Sequence, residues 1–286
     1  MNLGAAPQRV APGVWGVALA TRTLPPWPAT NAYAVGSGGV AWLVDPGAGD
    51  AEALGALDAL LAAAGVRTLK GVLLTHAHPD HVGGVAAAVA RYGLDAVLAH
   101  PGALSRLPGG LPVRALQGGR RFVAGGSVVD AIATPGHASD HLAFGVASDG
   151  ARTLVAGDLV AGSGSIWVGV PDGDVAVYLA SLERAAAWGP DVVAPGHGPT
   201  RDDGAAVVAE ARRHRLEREE KIASALANGP LRLDELRARV YGPLTPEVAG
   251  LADRTLLAHL AKLMQETRVD HVGSGPEGPY ARRAGG

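Results

Sequence analysis

One short segment constrains the fold of this chain more than any other. Residues 75–84 read THAHPDHVGG and follow the apolar run GVLL, so that three histidines and an aspartate fall between His76 and His81. The apolar run predicts a buried strand, and the i, i+2 spacing of His76 and His78 predicts an extended loop after it. Strand-end loops deliver side chains to one edge of a sheet. The segment therefore predicts an α/β fold with a ligand-rich sheet edge.

Other predicted strands also end in a potential metal ligand. AIATPG runs into His137, TLVAG runs into Asp158, and VVAPG runs into His197. Because strand ends meet at one rim of an α/β sheet, we expect these side chains to converge with those of the first segment. Gly136 and Gly196 precede two of the histidines, where a glycine permits a sharp turn and close approach.

These residue types suit borderline divalent metals. Imidazole and carboxylate ligands fit zinc, and also manganese, iron or cobalt. The candidate ligands are His76, His78, Asp80, His81, His137, Asp158 and His197. They exceed one tetrahedral site, but they suffice for two ions about 3.5–4 Å apart that share Asp158 and activate a water molecule for hydrolysis. We therefore predict two divalent ions, most simply zinc, with Asp80 and Asp158 as catalytic residues and Asp80 also as a carrier of protons.

Composition narrows the functional class. The chain has 286 residues and a formal net charge of −2, so no global basic field draws it to nucleic acid or to an anionic membrane. It has no cysteine, which excludes disulfides, thiolate ligands and a cysteine nucleophile. Residues 1–16 lack a signal-peptide pattern, and no apolar run reaches the length of a bilayer span. We expect a cytoplasmic protein without a membrane partner.

The composition and the pattern of the sequence change near residue 200. Before it, short apolar strands alternate with alanine-rich helices. After it come charged helical segments and then two extended pieces around a Gly/Pro turn. The order helix, helix, helix, hairpin is typical of a winged-helix domain. We predict a main domain over residues 1–204 and a small winged-helix-like α+β domain over residues 205–286.

The whole pattern resembles the metallo-β-lactamase superfamily. The residues that carry the resemblance are Asp45 in LVDPG, the HAHPDH box, and the segments TPGH, AGD and PGH. The resemblance implies an αβ/βα four-layer sandwich with metals at one edge. It implies His76, His78 and His137 as ligands of the first metal, Asp80, His81 and His197 as ligands of the second, and Asp158 as the bridge. Asp45 resembles the carboxylate that orients a ligand imidazole, although a turn residue is the alternative interpretation.

Four further residues are candidates around the site. His141, four positions after His137, either polarises the substrate or forms a hydrogen bond beside the site. Trp27 and Asn31 are candidates to line the site mouth, but their proline-rich segment is equally consistent with a rigid connector. Trp167 is either a platform for substrate or a core residue.

The substrate is less constrained, because such sites serve lactams, thioesters, lactones and phosphodiesters. The chain from PATNAYAV to the charged C-terminal helices resembles the lactamase-β-like protein 2 family, which includes single-strand-specific endoribonucleases. The resemblance implies a phosphodiesterase acting on single-stranded RNA. One alternative is a hydrolase of small thioesters or esters of the glyoxalase II type. The other is a non-catalytic nucleic-acid-binding protein with structural metals.

The electrostatic signal for RNA is weak. Arg212, Arg213, Arg215 and Arg218 alternate with glutamates along a predicted helix. Such alternation favours a solvated helix face over a basic stripe.

Overall fold

The computed structural model describes residues 3–4, 6–273 and 275–283. They divide into two units. The first contains the described residues up to 134 together with 140–164 and 181–209, and the second contains 135–139, 165–180 and the described residues from 210 onward. The domain boundary predicted after residue 204 stays a prediction, because the chain passes between the two units several times.

A seven-stranded sheet begins the first unit, with its strands paired in chain order. The strands are β1 (Gln8–Ala11), β2 (Val14–Ala20), β3 (Ala29–Ser37), β4 (Val40–Val44), β5 (Thr68–Leu73), β6 (Val97–Ala99) and β7 (Val113–Ala115). The pairs from β1 to β4 are antiparallel, and those from β4 to β7 are parallel. The change occurs where helices α1 (Ala51–Ala63) and α3 (Val85–Tyr92) supply the crossovers that parallel strands require.

A five-stranded sheet completes the first unit. Its strands are β8 (Arg121–Ala124), β9 (Ser127–Ala133), β10 (Leu142–Ser148), β11 (Ala151–Gly157) and β12 (Val192–Pro195), in the order β12-β11-β10-β9-β8. Only the β11–β12 pair is parallel, and its connection contains helix α4 (Val175–Trp188).

The two sheets pack face to face through buried apolar side chains. Val35 and Leu73 of the first sheet share one core cluster with Phe144 and Val155 of the second. Neighbouring strand residues point to the opposite face of the first sheet, where Leu43 packs under α1 in a separate cluster. Alternate residues of these strands therefore pack against opposite layers, so the first sheet is covered on both faces. The predicted αβ/βα fold class is confirmed.

The second unit contains the predicted winged-helix elements. They are α5 (Gly204–Ala225, whose first turns belong to the first unit), α6 (Leu233–Tyr241), α7 (Pro246–Gln265) and the antiparallel strands β13 (Val269–His271) and β14 (Tyr280–Arg282). Ile222, Leu236, Leu256 and Tyr280 belong to its apolar core. The predicted order of three helices and a hairpin is confirmed.

One arginine of α5 departs from the predicted solvated face, whereas Arg212 and Arg213 are exposed. Arg215 is buried, donates to the carbonyl oxygen of Ile166, and places its guanidinium 5.1 Å from the ring of Tyr178. The prediction is wrong at Arg215, because Arg–Glu alternation does not reveal which turn of a helix is covered.

Across the described part of the chain, every helix is too short or too polar to cross a bilayer. The cytoplasmic location stays a prediction.

Candidate metal centre

The loop after β5 carries four of the candidate ligands. His76 and His78 lie in a segment that is neither helix nor strand, His78 has extended backbone, and Pro79 then begins the short helix α2 (Pro79–Val82). A proline suits the first position of a helix, because its missing N–H group would have no helical partner there. The predicted extended loop is thus present, and Asp80 and His81 follow it on a helical turn.

Three side chains from α2 and from the loop after β12 form one group of potential ligands. Asp80, His81 and His197 each offer an atom within 4.8 Å of the others. The Nε2 atom of His197 is 3.3 Å from Asp80 Oδ2. Asp158 Oδ1 is 3.3 Å from His197 Nε2 and 3.4 Å from His81 Nε2. These residues all belong to the first unit.

Asp158 also belongs to a second group, with His76 and His78. The ligand atoms of these three residues again lie within 4.8 Å of one another. His76 Nε2 and His78 Nδ1 are 2.9 Å apart, and the two rings meet edge to face. The Asp158 carboxylate therefore lies between the two groups of the first unit, which is the position expected of a bridging ligand.

His137 and Trp167 are neighbours in the second unit. His137 lies on the segment that joins β9 to β10, and its Nδ1 donates to the carbonyl oxygen of Trp167 at 2.6 Å. A carbonyl oxygen only accepts, so Nε2 remains as the ligand atom of His137. The half-buried Trp167 donates through its indole nitrogen to the carbonyl oxygen of Leu251. Its role as a substrate platform stays a prediction.

Asp45 orients two of the imidazoles through a buried network. Its carboxylate accepts from Thr75 N–H at 2.8 Å, from the Thr75 hydroxyl at 2.6 Å and from His81 Nδ1 at 2.8 Å. The Thr75 hydroxyl donates to Asp45, so it accepts from His76 Nδ1 at 3.0 Å. Both imidazoles then carry a proton on Nδ1 and turn Nε2 toward the site. This arrangement supports the orienting role predicted for Asp45.

Asn31 braces the loop that carries His197. Its buried side-chain amide donates to the carbonyl oxygens of Pro195 at 3.0 Å and Gly198 at 2.9 Å. The Nδ1 atom of His197 donates to the carbonyl oxygen of the first residue of β3. The Trp27 ring lies so close to Gly198 that a β-carbon there would be 2.8 Å from it. Both candidate mouth residues thus support this loop, and their contact with substrate stays a prediction.

Several residues that hold the site were not predicted from the sequence. Thr30 donates to Asp80 Oδ2 at 3.3 Å, Thr75 connects Asp45 to His76, and Asp140 accepts from the N–H group of Ala77. Only Asp140 had a visible signal, because it precedes His141 in HASDH. Threonines at strand ends are common, and nothing in the sequence marks these two as buried polar partners.

The paired carboxylates and imidazoles favour positive charge at this place. Burial opposes ionisation of Asp80, but the His197 imidazole and the nearby His81 lower the pKa of Asp80 to about 2. Burial likewise disfavours a charged His197, but its hydrogen bonds with Asp158 and Asp80 raise the pKa of His197 to about 10. The pKa of His81 is also raised, against the effect of burial, by Asp158 and Asp45. The electrostatic environment of this site therefore favours the binding of a cation.

Two further observations fit divalent metal ions. The buried His81 Nε2 makes no hydrogen bond within the described part of the chain, although Asp158 Oδ1 lies 3.4 Å away, and such an atom is costly to leave unpaired. A β-carbon at Gly196 would lie 2.6 Å from Asp158 Oδ1 and 2.9 Å from His81 Cε1. The predicted close approach at Gly196 is therefore present. The histidine and aspartate donors are those that zinc, manganese or iron accept.

The substitution Gly196→Ala is expected to reduce the metal content of the purified protein to less than half of the wild-type value. The added methyl group forces Asp158 or His81 out of place, and elemental analysis after gel filtration measures the result. Gly55→Ala is the matched control, because nothing lies within 4 Å of that position in α1. The control should keep its metal and gain about 0.5–1 kcal/mol of stability. A Gly196→Ala protein with full metal content would contradict the expected crowding.

Two family profiles cover most of the chain. Residues 25–197 match the Metallo-beta-lactamase superfamily, and residues 233–278 match the Beta-lactamase associated winged helix domain. The lactamase-like protein adaB of Aspergillus niger is 31% identical over 261 residues, which are 85% of this chain and 78% of that protein. An atrochrysone carboxyl ACP thioesterase of Aspergillus fumigatus is 30% identical over 257 residues, with the same coverage of 85% and 78%.

A solved structure extends the similarity to nearly the full length. A metallo-beta-lactamase family protein of Thermus thermophilus superposes with a TM-score of 0.74 at 25% identity, over 96% of this chain and 100% of that one. These similarities support the superfamily but not, specifically, the lactamase-β-like protein 2 family. They also do not support a non-catalytic nucleic-acid-binding protein. The chain belongs to the metallo-β-lactamase superfamily and is a hydrolase of that superfamily, with histidine and aspartate groups suited to divalent metal ions.

Proposed function

We propose that this hydrolase cleaves an acyl thioester, with the acyl group carried on the pantetheine arm of a carrier protein. The observation that carries the proposal is the similarity to a fungal ACP thioesterase over 85% of this chain. This substrate class corresponds to the thioesterase alternative from the sequence, rather than to RNA.

We also propose that the two groups of side chains hold two divalent ions, in the first place zinc. The position of the Asp158 carboxylate between the groups supports a pair of ions rather than one. His137 is proposed as a further metal ligand, since its Nδ1 donates to a carbonyl oxygen and its Nε2 is left as a ligand atom. Bound ions would lower the pKa of a water molecule to about 7 and polarise the thioester carbonyl.

The reaction balances as a simple hydrolysis. The oxygen of water bonds to the carbonyl carbon, the carbon–sulfur bond breaks, and the acid and the thiol leave. Asp80 is proposed to carry a proton from the water to the sulfur, and Thr30 holds the Asp80 carboxylate in place. The Asp158 carboxylate lies between the two groups of ligands and would serve both of them.

RNA remains the second candidate, favoured by the match to a winged-helix domain. The arginines of α5 argue against it. Arg213 pairs with Glu217 at 2.6 Å, Arg215 is buried, and Arg218 lies 4.4 Å from the ring of Tyr241. RNA recognition requires basic side chains that reach phosphates. If RNA is nevertheless the substrate, its affinity should fall steeply with salt.

One experiment separates these candidates. The purified protein is assayed with an acyl-pantetheine thioester, by release of free thiol, and with a single-stranded RNA oligonucleotide. We expect thioester hydrolysis that a chelator abolishes and a divalent metal restores, and that is lost in Asp80→Ala. RNA cleavage that is lost in Asp80→Ala, without any thioester turnover, would instead establish the second candidate.

A further inference from the structure

We propose that the buried dipeptide Asp140–His141 positions the group of ligands formed by His76, His78 and Asp158, by holding two main-chain N–H groups. Each residue accepts from a backbone N–H next to, or within, a proposed ligand. Asp140 Oδ2 accepts from Ala77, the residue between His76 and His78, at 3.0 Å. His141 Nε2 accepts from the N–H group of Asp158 itself, also at 3.0 Å. The inference rests on the metal binding proposed above.

The Asp140 carboxylate is completely buried and has a cationic neighbour. Arg106 ends the short 3₁₀ helix Pro101–Arg106 and places Nη2 2.8 Å from Asp140 Oδ1. A buried carboxylate is costly unless it is paired and hydrogen-bonded. Here one oxygen faces the guanidinium and the other accepts from Ala77 N–H, so that the charge fixes the backbone between the two histidines.

The His141 ring is fixed at both of its nitrogens. Since Nε2 accepts from Asp158 N–H, that atom carries no proton, and the proton of the neutral ring is on Nδ1. Nδ1 then donates to the Thr134 hydroxyl at 2.8 Å. The carbonyl oxygen of His141 accepts from Thr134 N–H at 3.0 Å. The ring is 1% exposed and is therefore locked to the end of β9 in one tautomer.

The dipeptide complements Asp45. Asp45 orients His81 and, through Thr75, His76, all by their side chains. Asp140 and His141 instead act on the backbone of the loop after β5 and of the end of β11. An apolar pair would fill the same space at lower desolvation cost, but it would leave the N–H groups of Ala77 and Asp158 without these acceptors.

The test compares variants that remove the acceptor with variants that keep it. Asp140→Ala and His141→Leu remove it, whereas Asp140→Asn and His141→Gln retain an oxygen or nitrogen at a similar place. Metal affinity is measured by competition with a chromophoric chelator and Zn²⁺, with the number of bound ions per chain from elemental analysis. Loss of a residue that orients metal ligands typically weakens affinity about 10–100-fold.

We expect that fall for at least one of the two Zn²⁺ equivalents in Asp140→Ala and His141→Leu, and a smaller fall, of about two- to tenfold, in the conservative variants. His214→Gln is the control, since His214 lies on α5 beside Glu210, outside the site. If the wild type binds two ions and all four variants bind them within twofold of it, the positioning role is wrong. If Asp140→Ala and His141→Leu do not fold, the metal affinities of Asp140→Asn and His141→Gln decide whether the positioning role is correct. A wild type that binds no divalent metal would overturn the proposed function itself.

Discussion

Replacing Asp158 by alanine is expected to lower kcat/KM for thioester hydrolysis by about a thousandfold or more. Its carboxylate lies between both groups of ligands, with Oδ1 3.3 Å from His197 Nε2 and 3.4 Å from His81 Nε2. Its loss therefore affects the binding of both proposed ions and the activation of water at the same time. Steady-state kinetics at saturating Zn²⁺ measure the effect, and elemental analysis shows how many ions remain.

The control for Asp158→Ala is Asp149→Asn. Asp149 is exposed in the turn between β10 and β11, with a φ of 46°, a conformation that asparagine also adopts. It lies at the opposite end of β11 from Asp158, so its kinetics should match the wild type. An Asp158→Ala enzyme that retains more than a tenth of the wild-type kcat/KM would rule out the bridging role.

Replacing Asp45 by alanine is expected to lower the free energy of unfolding of the metal-free protein by about 3–5 kcal/mol. The change leaves the Thr75 N–H, the Thr75 hydroxyl and the His81 Nδ1–H buried without their acceptor. Asp45 also has a φ of 49°, which alanine adopts less readily than aspartate or asparagine. Urea unfolding in the presence of a chelator measures the effect apart from metal binding.

Two further variants, Asp45→Asn and Asp58→Ala, serve as comparisons for Asp45→Ala. Asparagine keeps the backbone conformation and one acceptor oxygen, so we expect a smaller loss, of about 1–3 kcal/mol. Asp58 forms an exposed ion pair with Arg91, and its removal should cost less than about 1 kcal/mol. If Asp45→Ala costs no more than Asp58→Ala, the network around Asp45 contributes little to the fold.

The sequence predicted those parts of the fold that depend on local patterns. Apolar runs that end in a candidate ligand predicted β5, β9, β11 and β12. The strands β1, β2, β7 and β8 had no such prediction. The strands β1, β7 and β8 are three or four residues long and each contains an arginine, so their apolar pattern is weak. The strand β2 is apolar, but no candidate ligand follows it.

The candidate ligands were visible in the sequence for a related reason. A ligand at the end of a strand leaves a local mark, such as the HAHPDH box or the glycine before His197. The position of Asp158 between two groups leaves none, because it depends on how β11 lies against β12 and on the loop after β5. The same holds for Thr75 and Asp140, whose partners lie 30 and 63 positions away in the chain.

By itself, the sequence determined which residue types are present and where the ligand-bearing strands end, and this predicted the superfamily and the kind of chemistry. Only the tertiary structure decided which donor faces which acceptor. It buries Asp45, Asp140 and His141 and fixes the tautomers of the imidazoles. It also pairs Arg213 of α5 with Glu217 and buries Arg215, which the sequence alone had placed on a solvated face. Burial and hydrogen-bond direction arise from long-range packing, which a local pattern does not encode.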